Sequence, residues 1–233
     1  MIIFNFGIPN SGTDWSQEVF KKIWESQNYT FQIEEASNIQ ELSQIISTLK
    51  MNERMILQFH FLTEEAIAAA QDDRVRPFYH YRDPRDVVCV EMENRHIPFA
   101  TAVEQTVTAY QEIHHALCLP GIMVIPYEHI AENAEGLIYQ MATKLGVLLK
   151  LDVVSEIAGE LREQVAQQQP VTTPATQESH LNQSVRIDEE HVSESSIIQP
   201  LCIGKWREQL SKSEKSMVTR FFKPLVDQFG YEE

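Results

Sequence analysis

Short apolar runs alternate along this chain with stretches of helical periodicity, and that alternation restricts the fold more than any other feature of the sequence. Recurring short runs between helical segments mark a mostly parallel sheet covered by helices, because parallel neighbours need a crossover between them. The strands are expected at Ile2–Phe6, Thr30–Glu34, Met55–His60, Arg76–Tyr81 and Ile122–Ile125. The spacing predicts helices over Asp14–Ser26, Asn38–Leu49, Thr63–Gln71, Pro84–Glu93, Pro98–Leu117, Glu132–Leu145 and Asp152–Gln168, with a closing helix over Lys212–Phe229. The first carries Trp15, Val19, Phe20, Ile23 and Trp24 at helical spacing, and the second sets Ile39, Leu42, Ile45, Ile46 and Leu49 on one stripe behind an Asn38 cap. Pro84 and Pro98 suit first helical turns, and Gly146 suits a helix end.

At 233 residues the chain fits a single domain spanning 1–233, with a core large enough to need no staples. Within it, residues 167–200 are rich in Gln, Ser, Thr and Glu and poor in apolar side chains, so a mobile loop or lid is expected there. The net charge of −15 argues against nucleic acid and anionic membrane surfaces as partners. A small anionic ligand stays open, since a local cluster of arginines and amides suffices. Cys89, Cys118 and Cys202 are odd in number and lack metal-ligand spacing, so neither a disulfide framework nor a metal site is expected. The first apolar run is short and has no basic flank, and no stretch approaches the ~18 apolar residues of a membrane span. The expectation is a cytoplasmic protein.

The first strand feeds Gly7-Ile8-Pro9-Asn10-Ser11-Gly12-Thr13-Asp14-Trp15, the layout of a phosphate-binding loop. A nucleotide-triphosphate loop needs Gly-x4-Gly-Lys-Ser/Thr, in which lysine reaches the terminal phosphate. Here Gly7 and Gly12 have the right spacing, but Thr13 and Asp14 follow, and an aspartate aimed at a terminal phosphate repels it. A nucleotide-dependent phosphotransferase is therefore disfavoured. A strand, a glycine turn and a helix start can still hold an anion through backbone amides and the helix dipole. The same residues also suit a plain tight turn with Asp14 placed favourably in the first helical turn. The loop alone leaves both open.

Segments further along the chain bear on the choice. Pro9-Asn10-Ser11-Gly12-Thr13-Asp14-Trp15 resembles the Pro-Lys-Ser-Gly-Thr-Thr-Trp loop of the sulfotransferase family. Arg82-Asp83-Pro84-Arg85-Asp86-Val87 is similar to that family's Arg-Asn/Asp-Pro-Arg-Asp-Val segment, and Leu57-Gln58-Phe59-His60 sits where the family has Lys-Thr-His. Tyr127-Glu128-His129-Ile130, with Leu145-Gly146 after it, is similar to the Tyr-Glu-Asp-Leu strand end and Phe-Leu-Gly helix end. Gly204-Lys205-Trp206 matches the Gly-Asp-Trp turn, and Phe229-Gly230-Tyr231 the Leu-Gly-Tyr finish. The resemblance covers almost the whole chain in order. It implies a three-layer α/β fold of about five mostly parallel strands with P-loop NTPase-like topology.

It further implies sulfuryl transfer from 3′-phosphoadenosine-5′-phosphosulfate (PAPS) to a hydroxyl or amine of a small-molecule acceptor, leaving 3′,5′-ADP. By that resemblance His60 is the general base, Asn10, Ser11, Gly12, Thr13, Asp14 and Trp15 lie along the 5′ end and the adenine, Arg82 grips the 3′-phosphate, and Tyr127 lines the purine pocket. Plainer roles compete: His60 as a satisfied core histidine, Arg82 in an ion pair with Asp83 or Asp86, Trp15 and Tyr127 as core. Departures from the pattern matter too. Asn10 and Gln58 replace lysines, Asp14 replaces a phosphate-binding threonine, Val90 replaces a serine, and Gln199-Pro200-Leu201 replaces Arg-Lys-Gly. Arg85, Arg186, Lys205 and Arg207 are candidates to compensate. Two functions follow: a transferase, or a catalytically reduced member acting as a binding or regulatory module. The acceptor would meet residues 92–100 and 167–200, with Met92, His96 and Phe99 at the mouth.

Overall fold

The first apolar run becomes β1 (Ile2–Gly7), six residues buried along their whole length, as a central strand covered on both faces must be. In the computed structural model, which describes residues 1–50, 53–111, 113–167 and 202–232, four further strands join it. They are β2 (Gln32–Glu35), β3 (Met55–Phe59), β4 (Val75–Tyr81) and β5 (Met123–Pro126). Every pairing is parallel and the order is β2-β3-β1-β4-β5. The five-stranded α/β architecture read from the alternation is the one observed, with strand ends displaced by no more than two residues.

The helices before β5 are α1 (Thr13–Ser26), α2 (Ile39–Thr48), α3 (Glu64–Ala69), α4 (Pro84–Arg95), α5 (Phe99–Gln111) and α6 (Ile113–Leu117). After it come α7 (Tyr127–Glu132), α8 (Ala134–Lys144), α9 (Leu151–Gln167), α10 (Trp206–Gln209), α11 (Lys212–Phe221) and α12 (Lys223–Phe229). The period of two along the strands sorts the core into two layers. Ile3, Ile56, Phe78 and Ile125 pack against Phe20 and Trp24 of α1, Met141 of α8 and Leu161 of α9. Ile2, Phe4, Leu57, Phe59 and Tyr79 face the other way, toward Leu42, Ala66, Ile113 and Ala116. A third cluster joins Val88 and Cys89 of α4 to Trp206, Val218, Phe222 and Val226.

The span expected over Pro98–Leu117 is helical at Phe99–Gln111 and Ile113–Leu117, with residue 112 outside the described residues. Two other expected helices have different bounds. The span expected over Glu132–Leu145 begins later, at Ala134, because Asn133 takes a non-helical conformation and its side chain accepts the Gly136 N–H at 3.0 Å, capping α8. The closing helix breaks at Phe222, just ahead of Pro224, which has no N–H to continue the ladder. Gly146 does end α8: at φ 72 it directs its own N–H to Thr143 and that of Val147 to Ala142, a Schellman close. Residues 168–200 of the expected lid lie outside the described residues.

In this order β1 is the switch strand, with the chain leaving it toward β2 and β3 on one side while β4 leads to β5 on the other. Open parallel sheets bind ligands at the carboxyl ends of such strands. The loop after β1, His60 after β3, Arg82 after β4 and Tyr127 after β5 all stand at that edge.

Candidate functional site

β1 runs out at Gly7 because the neighbouring backbone leaves no room for a side chain: a Cβ there would lie 2.2 Å from the carbonyl oxygen of His80. The next amide, of Ile8, donates to that same oxygen at 3.0 Å. Both the amide and the hydroxyl of Ser11 return to the Ile8 carbonyl and close the turn. Gly12, at φ 96, is the N-cap of α1; a Cβ on it would come within 2.5 Å of Ile130 Cδ1. A glycine cap brings no side-chain acceptor, so the first amides of α1 remain to be met by something else.

Behind the loop, one polar side chain rises from the carboxyl end of each of three adjacent strands. Asn5, Gln58 and His80 share the α1 face with Ile3, Ile56 and Phe78 and are all buried. Asn5 Nδ2 donates to Gln58 Oε1 at 3.0 Å and to the Thr13 carbonyl at 2.8 Å. Ser16 Oγ lies 2.8 Å from Asn5 Oδ1, 2.9 Å from the Thr13 carbonyl and 3.0 Å from His80 Nε2. A hydroxyl has one proton, and both oxygens can only accept. The serine therefore gives its proton to them, and His80 Nε2 carries the proton that reaches the serine. His80 Nδ1 is then a bare acceptor, buried with no partner among the described residues. Burial, helped by the charge of His60, brings the His80 imidazole down to about 3.

Two departures from the family pattern meet in this network. Gln58 Nε2 donates to Asp14 Oδ1 at 2.8 Å, so the glutamine that replaces a lysine holds the aspartate that replaces a threonine. Asn10, at φ 60, points away from Asp14: its Nδ2 donates to Glu91 Oε1 at 3.0 Å, and its Oδ1 accepts from Asn94 at 3.3 Å. No cation reaches the loop from positions 10, 14 or 58.

His60 is exposed at the end of β3. Its Nδ1 lies 3.2 Å from the Gly7 carbonyl. A carbonyl accepts only, so Nδ1 carries the proton and Nε2 is left as a proton acceptor. The buried core histidine of this fold is His80, two residues before Arg82, bonded through Nε2 alone.

Arg82 is nearly enclosed, 2% exposed. Its Nη1 donates to the Asn10 carbonyl at 3.2 Å, its Nη2 to the Cys202 carbonyl, and its guanidinium lies 4.1 Å from the Tyr127 ring centre. Its Nε is buried with no partner among the described residues. The ion pair weighed for Arg82 belongs instead to Arg85, which grips Asp83 with Nε and Nη2, reaches the Glu232 carbonyl at 2.7 Å and lies over Trp206. The other candidate compensators are engaged too: Lys205 with Glu93, and Arg207 over Trp206. Arg186 lies outside the described residues.

The turn after residue 201 is pinned beside Arg82. Asp86 accepts the amides of Gly204 at 2.7 Å and Trp206 at 3.0 Å. Glu128 ties the loop ends together by accepting the Asp83 amide at 3.0 Å and the Tyr231 hydroxyl at 3.1 Å. Burial raises both carboxyls above their ordinary range, against these donors.

Beyond α1 opens a cavity of about 310 Å³, whose walls include Trp15, Ile130, Asn133, Leu161, Arg162 and Val165. Trp15 is 5% exposed and packed into the core, so it is wall as well as candidate contact. A tighter hollow beside His60 is lined by Phe6, Phe61, Leu62 and Tyr79. Met92 and Phe99 pack against the C-terminal cluster, and His96, at φ 51, ends α4. Among the described residues no group of three or more His, Cys, Asp or Glu side chains is placed to hold a metal, and no helix is long and apolar enough to cross a membrane.

A strand–loop–helix turn at the switch strand of a parallel sheet, with a histidine and an arginine on the neighbouring strand ends, marks a P-loop-like α/β fold. The family model of the sulfotransferase domain matches residues 3–230. The chain belongs to the sulfotransferase family. Comparison with curated protein sequences finds no match. Among solved structures, the chain is similar to mouse sulfotransferase SULT7A1 complexed with PAP, at TM-score 0.67 and 14% identity, over 97% of this chain and 83% of that one. It is similar also to retinol dehydratase in complex with androsterone and inactive cofactor PAP, at TM-score 0.64 and 14% identity, over 97% and 80%. A second retinol dehydratase complex, with retinol and PAP, matches at TM-score 0.64 and 15% identity, over 97% and 81%.

Proposed function

We propose that this protein is a cytoplasmic sulfotransferase that moves a sulfuryl group from PAPS to a hydroxyl or amine of a small-molecule acceptor. The observation that carries the proposal is His60, exposed beside the loop with Nδ1 set by the Gly7 carbonyl and Nε2 left to take a proton. The fit to the donor has support on three sides. The uncapped start of α1 offers amides to its 5′ end, the buried Arg82 Nε has an unused donor for its 3′-phosphate, and the cavity past Trp15 has room for a base. PAPS supplies an activated sulfuryl group on a phosphate oxygen. His60 takes the acceptor's proton, the loop amides and α1 dipole oppose the charge left on the phosphate, and Arg82, held over the Tyr127 ring, keeps the nucleotide in place. Three unpaired cysteines suit a reducing compartment.

One observation favours the second reading, a binding or regulatory module. Asp14, held by Gln58, places a negative charge in the first turn of α1, and no lysine stands at position 10 to neutralise the leaving oxygen. Calorimetric titration with 3′,5′-ADP, followed by an acceptor screen, decides between them. A transferase binds 3′,5′-ADP at micromolar concentration, loses at least tenfold in affinity on Arg82→Ala (~1.4 kcal/mol), and loses turnover but not binding on His60→Ala. Binding without turnover on any acceptor supports the module. No binding at millimolar concentration overturns the donor assignment.

A further inference from the structure

The edge of the sheet opposite the 7–15 loop, where the strands begin, gathers cations. Arg54 stands just before β3, Arg74 just before β4, and Arg76 is the second residue of β4. Met1 lies between them: its carbonyl accepts the Met55 amide at 3.2 Å, and Ile2 beside it donates to the Arg74 carbonyl at 2.9 Å. Arg76 is in register with Ile3 and so leaves the sheet on the face covered by α1 and α8. On that face α8 ends at Lys144, whose Nζ lies 3.2 Å from the place a Cβ on Gly121 would take. The pairing of Phe78 with Met123, carried back two residues, sets Gly121 beside Arg76. Two amines register the row. Burial and then the charges of Arg54, Arg74 and Arg76 lower the Met1 amino group, and burial and then Arg76 lower Lys144.

This row stands largely without carboxylates, in a chain with 34 acidic residues against 19 basic ones. Arg74 is paired with Asp72 at 2.6 Å. Among the described residues Arg54, Arg76 and Lys144 have no ion-pair partner. Arg76 turns to the carbonyls of Asp73 and Val75. The carboxyl end of α8 favours Lys144 through the helix dipole, which leaves Arg54 and Arg76 unexplained.

Arg54 is the best prepared for a ligand. Its guanidinium lies 3.8 Å from the Tyr29 ring centre, which steadies the plane, and its side chain forms no hydrogen bond among the described residues. Beside it is a hollow of about 170 Å³ lined by Trp24, Tyr29, Leu145 and Val147, with Arg54 as the charged side chain of that lining. A planar fork matches a carboxylate with two parallel hydrogen bonds. The side chains around it suit an apolar body, and the volume, below the usual range for small-molecule sites, keeps that body to one ring or a short chain.

We propose that the amino edge of the sheet carries a second small-molecule site, which takes a small organic acid. Arg54 forks the carboxylate, Arg76 and Lys144 add their field, and the apolar remainder enters the hollow between Tyr29, Leu145 and Val147. The site is separate from the 7–15 loop and does not depend on what the loop binds.

The test titrates the whole protein by calorimetry at low salt with benzoate, benzyl alcohol and sulfate. Benzoate is expected to bind in the millimolar range, and benzyl alcohol, which has the ring without the charge, about tenfold more weakly or worse. Sulfate, the charge without the ring, should also bind more weakly than benzoate. Arg54→Ala should weaken benzoate about tenfold, and Arg76→Ala and Lys144→Ala about twofold each, as charges acting at a distance. Arg82→Ala should leave benzoate binding as it is. All three cationic positions are partly exposed, and circular dichroism checks that each variant folds. Arg54→Met, which keeps a stem against Tyr29, should match Arg54→Ala. No benzoate binding at about 10 mM overturns the proposal. So does benzyl alcohol or sulfate binding as tightly as benzoate, benzoate binding that ignores Arg54→Ala, or benzoate binding lost on Arg82→Ala.

Discussion

Asp14 and Gln58 read differently together than apart. Alone, each is a lost phosphate contact. Joined at 2.8 Å across the start of α1, they form a stable local arrangement: the carboxylate gains from the helix dipole, and the amide fills its lone pair. The cost falls on an incoming anion. Asp14→Asn keeps an oxygen for Gln58 and removes the charge, so 3′,5′-ADP should bind about fivefold more tightly, the size of one repulsion across about 4 Å in water. Unchanged or weaker binding would show that Asp14 does not face the ligand. Gly7 is a different kind of residue, required by space alone. Gly7→Ala drives a methyl into the His80 carbonyl, and should lower stability by about 2 kcal/mol or more in urea titration. His60 and Arg82 were legible as candidates through the family resemblance of their segments. Their surroundings were not: sequence could not say that His60 is open while Arg82 is closed over by Tyr127 and the Cys202 carbonyl. Asn5 and Gln58 did leave a signal, each a polar residue inside an apolar strand.

At the level of helices and strands, periodicity found every strand and most helices, because burial on one face repeats at 2.0 or 3.6 residues whatever the partner. It failed at junctions. Asn133 and Pro224 interrupt runs whose apolar spacing continues across them, and the interruption is a matter of a cap and a missing donor. The cap can be weighed: Asn133→Ala strands the Gly136 amide and should cost about 1 kcal/mol, read from the denaturation midpoint. A loss below a few tenths would mean that α8 is held by its packing under Ile138 and Met141 alone. The short α7 was missed for a related reason, being one turn squeezed between β5 and that cap. It nevertheless bears on the candidate site, since Tyr127 lies against Arg82 and Ile130 lines the cavity.

Across the whole molecule, the buried network at the centre of the sheet couples folding to acidity. The His80 imidazole is held neutral by burial down to about 3, whereas an unfolded chain's imidazole takes a proton near 6.5. As pH falls through that window the unfolded state binds a proton that the folded state refuses. The contribution of His80 is whole above about 6.5 and drains by up to about 1.4 kcal/mol per pH unit as pH drops toward 3. Asp86 and Glu128, raised by burial, act in the opposite sense, so the measure is a difference. His80→Asn should have a flatter stability profile than the parent across that window; equal slopes would mean that the imidazole is not held neutral.

The order of apolar runs was enough to specify an α/β sheet of five parallel strands, and the loop, histidine and arginine segments, through the family they resemble, pointed to a candidate site at its carboxyl edge. Both are properties of local spacing, and hydrophobic burial acts on spacing directly. What emerged only on folding depends on residues brought together from far apart in the chain. Asn5, Ser16, Gln58 and His80 become one hydrogen-bonded unit, Asp14 finds Gln58, and Arg162 of α9 comes to the cavity wall beside Trp15 of α1. Those meetings turn on crossovers and side-chain direction, to which no local pattern responds.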